Sequence, residues 1–137
     1  MNERNLNVLL IDDDIVDRMT VARAVEKIES VTLTTASNGL DALQQLRSRD
    51  VPRNRLVIFL DLNMPRMNGL EFLQELRTDP AWRRTPVIVL TTSDEERDRL
   101  AAYDSNVAGY IVKPISSEKF AESIDAVCNY LDLVEFP

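Results

Sequence analysis

Leu56-Val57-Ile58-Phe59-Leu60-Asp61 (LVIFLD, residues 56–61) is five large apolar residues in a row, stopping on a carboxylate. The run is too short for a helix of ordinary length, is rich in branched and aromatic side chains, and has no polar alternation. It therefore reads as a strand buried on both faces. Such strands belong to parallel sheets covered by helices on either side.

The neighbouring segments repeat the pattern. Residues 6–11 (LNVLLI), 31–35 (VTLTT), 87–90 (VIVL) and 109–112 (GYIV) read as four more strands. Between them lie amphipathic stretches. Ile15, Met19, Ala22, Val25 and Ile28 recur at helical steps, as do Leu40, Leu43 and Leu46, then Leu70, Leu73 and Leu76. Phe120, Ile124, Val127 and Leu131 mark a last helix. Asn38-Gly39 reads as a turn. Asn68-Gly69-Leu70-Glu71 has the pattern of a helix cap with Glu at its third position, and Ser93 with Glu96 reads as another cap. Pro52 sits in a polar connection over 47–55, and 80–86 reads as a loop.

The order is strand–helix five times over. This predicts an α/β fold with right-handed crossovers: a single five-stranded parallel sheet, doubly wound (βα)5 flavodoxin-like, with strand order 2-1-3-4-5. At 137 residues the chain has the size of one domain, here 1–137, ending in a short apolar tail over 132–137.

Composition excludes several classes. The net charge of −7 and the scattered arginines argue against a nucleic-acid binder. No apolar stretch approaches the roughly 20 residues of a membrane span. The N-terminus carries charge where a secretory signal needs an apolar run. With one cysteine there is no internal disulfide. A soluble, cytoplasmic protein is the expectation.

Parallel sheets of this kind bind ligands beyond the carboxyl ends of their strands, where the strand order reverses. Asp12, Asp13 and Asp14 follow the first strand, Asp61 the third, Thr91 and Thr92 the fourth, and Lys113 the fifth. In the predicted order the first and third strands are neighbours, so Asp12, Asp13 and Asp61 share one crevice. Clustered carboxylates raise one another's pKa unless a cation is present, and oxygen-only ligands suit Mg²⁺. Lys113 and a threonine hydroxyl add donors for phosphoryl oxygens. Together they match what phosphoryl transfer to a carboxylate needs.

Four blocks, IDDD at 11–14, DLNMPRMNGLEFL at 61–73, PVIVLTTS at 86–93 and GYIVKP at 109–114, resemble the receiver domain of two-component response regulators. The likeness runs over 6–131. It implies a stand-alone regulator that takes a phosphoryl group from a histidine kinase onto Asp61. It implies Mg²⁺ held by Asp13, Asp61 and the backbone carbonyl of Asn63, with Asp12 contributing directly or through water. Thr91 and Lys113 would bind the phosphoryl oxygens, and Thr91 and Tyr110 would act as the switch. Met64-Pro65 and Asn68-Gly69 would shape the loop over the site. The resemblance also implies a cis Lys113-Pro114 bond, a base-rate rarity. Residues 79–86 (DPAWRRTP) and the loop over 50–55 resemble the single-domain regulators associated with phytochrome-type sensor kinases. Thr92 stands where receivers carry a smaller residue, and narrows the approach to the phosphate.

Plainer readings compete at several positions. Asp14 reads as a helix cap. Asn68-Gly69 reads equally as an ordinary turn. Tyr110 is balanced between switch and edge-strand packing. Cys128 reads as core, Trp82 as a packing anchor under its loop, and Arg83 and Arg84 as solvated. Among rival functions, a phosphatase of the haloacid-dehalogenase type needs a second Asp where this chain has Asn63. A nucleotide-binding module needs a glycine-rich cradle, and the chain has three glycines in all. A degenerate receiver would lack part of the Asp13, Asp61, Thr91 and Lys113 set. A phosphate shuttle or sink remains open within the family. With no effector segment following, output is expected through a surface. The apolar groups Leu131, Leu133, Val134 and Phe136 near the end suggest a homodimer on the face of the fourth helix, fifth strand and fifth helix, against a tail folded onto its own last helix.

Overall fold

The computed structural model describes residues 4–137. Ten elements alternate along it: β1 (Leu6–Ile11), α1 (Ile15–Glu26), β2 (Val31–Ala36), α2 (Gly39–Arg47), β3 (Leu56–Leu60), α3 (Gly69–Thr78), β4 (Val87–Thr91), α4 (Glu96–Asp104), β5 (Gly109–Val112) and α5 (Ser117–Leu133). The strands form one parallel sheet in the order β2-β1-β3-β4-β5. This is the predicted doubly wound, flavodoxin-like fold.

Alternation along each strand divides the core in two. Leu9, Ile11, Ile58, Leu60, Val87 and Val89 face α2 and α3, meeting Leu43, Leu46, Phe72, Leu73 and Leu76. Val8, Leu10, Val57, Phe59, Ile88 and Leu90 face α1 and α5, meeting Val21, Val25, Phe120, Ile124 and Leu131. β3 is buried at every position, as its sequence requires.

Helix ends follow local chemistry. Asp14 caps α1 through the backbone N–H groups of Val16 and Asp17, its plainer role. Asn68 and Glu71 complete a capping box at α3. Asn38 caps α2 and is thus more than a turn residue. α4 departs from expectation: Glu95 is its cap residue and no side chain caps it. Ser93 Oγ is engaged elsewhere, donating to Asp98 at 2.6 Å.

The predicted face of α1 is only partly correct. Val21, Ala24 and Val25 are its buried residues, while Ile15 and Met19 are 62% and 46% exposed. Ala22 is exposed as well, so the buried face lies round the helix from the predicted one. Leu40 of α2 is exposed for its part. Cys128 and Trp82 are buried as read. Burial and Asp125 push the Cys128 thiol up to about 11, so it stays protonated.

The tail takes the plainer of its two readings in part. Arg55 donates to the carbonyls of Leu131 and Val134 at 3.0 and 3.1 Å and stacks on the Phe136 ring at 4.7 Å. Leu131 is buried and Phe136 packs on the α1/α5 core, leaving Leu133 exposed. The tail's apolar groups therefore give little support of their own to a dimer.

Candidate functional site

Strand register builds the site. Ile11 pairs with Leu60, so the residues that follow them, Asp12 and Asp61, emerge side by side. The Asp61 N–H donates to the Ile11 carbonyl at 2.9 Å, and the Asp12 N–H to the Ala36 carbonyl at 3.1 Å. Asp12 is 1% exposed and Asp61 6%. Asp13 points into solvent beside them, and one oxygen of each of the three carboxylates lies within 4.8 Å of the others.

β5 brings the cation. The Lys113 N–H donates to the Thr91 carbonyl at 2.7 Å, which continues the β4–β5 ladder by one residue. The Lys113 ammonium then lies 2.7 Å from Asp12, 2.8 Å from Asp17 and 3.7 Å from Asp61. The Lys113–Pro114 bond is trans, against expectation, and no cis bond occurs among the described residues. The pairing of β5 with β4 already sets Lys113 opposite the carboxylates, and its side chain spans the remaining gap.

Thr91 is fully buried, and its hydroxyl accepts from the Ser93 N–H at 3.3 Å. The Asn63 N–H donates to Asp61 Oδ1 at 3.3 Å, so the chain turns tightly over the acid. Gly69 allows that turn. A Cβ there would stand 2.5 Å from the Asp61 carbonyl oxygen and 2.7 Å from Leu62 Cα, where backbone cannot yield. Any other residue would push α3 away from the loop that carries Asp61. Tyr110 is half-buried against the α2/α3 core, and its hydroxyl donates to the Ser93 carbonyl at 3.0 Å.

Electrostatics follow from burial. Burial raises the Asp61 carboxyl to about 6, with Asp12 adding to the rise and Lys113, Asn63 and Thr91 opposing it. Burial likewise raises Asp12, against the pull of Lys113 and the Asp14 N–H. Burial lowers Lys113, but its bonds to Asp12 and Asp17 outweigh this and hold it charged.

The structure thus assembles Asp12, Asp13, Asp61, Asn63, Thr91 and Lys113 at one sheet end, with Tyr110 one loop away. Two residues escaped the sequence reading. Asp17 shares the lysine, and Arg18 donates to the Asp12 carbonyl at 2.7 Å. Asp17 reads in sequence as a first-turn helix acid, and nothing in the chain order reveals a partner 96 residues away. An all-oxygen donor set with two buried carboxyls, both raised in pKa by that burial, fits a hard divalent cation, which would supply the charge that one lysine leaves uncompensated.

The response regulator receiver domain family matches residues 8–125. Among curated proteins the chain is similar to a probable methanogenesis regulatory protein, FilR2, of Methanothrix harundinacea. They share 31% identity over 129 residues, 90% of this chain and 81% of that one. Among solved structures it is similar to the Mn²⁺-bound form of the response regulator Rcp1. That match has 30% identity and a TM-score of 0.88, over 96% of this chain and 99% of that one. It is similar also to the phosphorylated cyanobacterial phytochrome response regulator RcpA. Here the identity is 28% and the TM-score 0.90, over 97% of this chain and 99% of that one.

Proposed function

The chain belongs to the response-regulator receiver family, and from that premise we propose that Asp61 accepts a phosphoryl group from the phosphohistidine of a histidine kinase. The observation that carries this is the strand register that sets Asp61 beside Asp12, with Lys113 within 4.0 Å of both. In the transfer, the bond from phosphorus to the kinase's histidine nitrogen breaks and one to an Asp61 carboxylate oxygen forms. Asp61 must be ionised to attack, and its raised pKa marks the need for a nearby positive charge.

Asp13, Asp61 and the Asn63 carbonyl, with Asp12, would hold Mg²⁺, which when bound supplies charge stabilisation to the phosphoryl oxygens. The likeness to a Mn²⁺-bound regulator supports a divalent ion here. Lys113 is the second charge. It needs to move only from the Asp12 side of the pocket to the Asp61 side to meet a phosphoryl oxygen. Thr91, whose hydroxyl already hydrogen-bonds the Asp61 side chain, would offer its proton to another. Hydrolysis of the acyl phosphate would return Asp61 to its resting state, and Thr92, exposed at the rim, would limit access of water. A phosphatase of the haloacid-dehalogenase type is not favoured, because position 63 offers an amide and not a general acid.

The readout proposed is a surface biased by phosphorylation. Tyr110 and Thr91 both reach the loop at Ser93 that leads into α4. A shift of Thr91 toward the phosphoryl group would therefore be felt by Tyr110. On the α4–β5–α5 face, Leu100, Tyr103 and Val112 are 56%, 47% and 40% exposed, which supports a homodimer there. The likeness to RcpA supports a phytochrome-type sensor kinase as donor, and a cytoplasmic site of action goes with that partner. No helix among the described residues is long and apolar enough to cross a membrane. The 137 residues are proposed to act as one receiver unit. The nature of the linkage gives a direct test. Phosphate gained from a small phosphodonor should be released by hydroxylamine, as an acyl phosphate is. A hydroxylamine-resistant phosphate would refute an aspartyl acceptor.

A further inference from the structure

At the opposite end of the sheet, where β3 and β4 begin, lies a cleft of about 350 Å³. It is roughly 16 Å, a strand's length, from the carboxylates. Arg53, Arg55 and Arg84 line it, and no Asp or Glu does, although the chain carries a net charge of −7. Its walls are two stacked pairs: Arg53 lies 4.6 Å over the Trp82 ring, and Arg55 4.7 Å over that of Phe136.

The three arginines differ in what they already do. Arg55 is the frame. Its backbone is held in the left-handed region at φ 49°, and it spends two donors on the tail carbonyls. Its Nε is buried without a partner. Arg53 makes one long hydrogen bond, 3.4 Å to the Ala81 carbonyl. Arg84 makes no hydrogen bond or ion pair among the described residues. The Trp82 ring positions the Arg53 guanidinium, whose single long hydrogen bond leaves most of its N–H edge unused. A planar fork held in this way is suited to two-point recognition of an oxyanion. Arg84 adds a second, uncommitted charge. The volume suits a small ligand and is too small for a folded segment.

We propose that this cleft is a binding site for a small phosphate ester, with Arg53 and Arg84 as the anion ligands and Arg55 as the support. The site is separate from Asp61 and does not depend on its phosphorylation. Trp82 is the sole tryptophan and reports directly on Arg53. Full-length protein in EDTA, which keeps metal out of the carboxylate pocket, is titrated with pyrophosphate and separately with ADP. Tryptophan fluorescence and calorimetry are followed together. Saturable binding is expected, unchanged in Asp61→Asn and weakened about tenfold or more in Arg53→Gln/Arg84→Gln. Both arginines are exposed, so that variant keeps its fold, which circular dichroism verifies. Equal affinity for the two probes assigns the site to the phosphate group alone. Tighter binding of ADP assigns the nucleoside a part. Absence of saturation with either probe, or binding undiminished in the double variant, overturns the proposal.

Discussion

The Lys113 ammonium lies 2.7 Å from the Asp12 carboxylate, a full ångström closer than to Asp61 at 3.7 Å. The lysine therefore neutralises Asp12 and leaves Asp61, the proposed phosphoacceptor, short of positive charge. Both groups are almost wholly shielded, with side chains 5% and 1% exposed. A pair at that depth stabilises the fold less by its own attraction than by preventing an uncompensated buried charge.

Lys113→Gln should accordingly destabilise the metal-free protein by about 3 kcal/mol, the usual cost of orphaning one member of a buried pair. Saturating Mg²⁺ should recover part of that loss. Urea unfolding of both proteins, in EDTA and in Mg²⁺, checks this. A variant as stable as the parent in EDTA would mean that the ion pair carries no weight.

The raised Asp61 carboxyl sets the pH dependence. Its folded value of about 6 lies above the ordinary 3.8, so the native state holds the proton more tightly than the unfolded chain does. Stability from this group is present in full below about 3.8 and is lost as pH rises through about 6. Burial of Asp12 acts in the same direction. Metal-free protein should therefore gain stability as pH falls from 7 to 5, by about 1 kcal/mol from Asp61. Asp61→Asn should flatten that segment and be the more stable protein at pH 7. Chemical unfolding at a series of pH values tests it, and an Asn variant with an undiminished slope would contradict it.

Mg²⁺ should raise the melting temperature of the parent by mass action, if the folded site binds it as proposed and the unfolded chain does not. Asp13→Ala should lose that rise. Asp13 is solvent-exposed and uncommitted to any hydrogen bond among the described residues, so its removal should leave the metal-free melting temperature nearly unchanged. Calorimetric scans with and without the ion separate the two effects. A full metal-dependent rise in the variant would remove Asp13 from the site.

Much of this was legible in the chain itself, for one reason. Strands buried on both faces announce a parallel sheet, and a parallel sheet announces where its ligands bind. Asp12, Asp61, Thr91 and Lys113 could therefore be grouped from their places at strand ends. What escaped is what depends on side-chain direction. The apolar steps from Ile15 through Met19 and Ala22 suggested a buried face, but the helix turns Val21, Ala24 and Val25 inward and leaves those three exposed. Ser93 was legible as a hydroxyl before a helix, but not its preference for Asp98. Arg77 gave no signal at all. It nevertheless ties α3 to the carbonyls of Arg83, Thr85, Ser105 and Asn106, which lie on two different loops. Hydrophobic periodicity has no term for such a clamp. The cis Lys113–Pro114 bond was expected from family likeness and not from the residues, and the structure has it trans.

The central claim is that Asp61 alone accepts the phosphoryl group, and intact-mass analysis after treatment with a small phosphodonor and Mg²⁺ tests it most directly. The parent should gain the mass of one phosphate, mapped to the peptide containing Asp61. Asp61→Asn should gain none under the same conditions, and the parent should gain none in EDTA. Full phosphorylation of the Asn variant, or a phosphate mapped to another residue, would contradict the account.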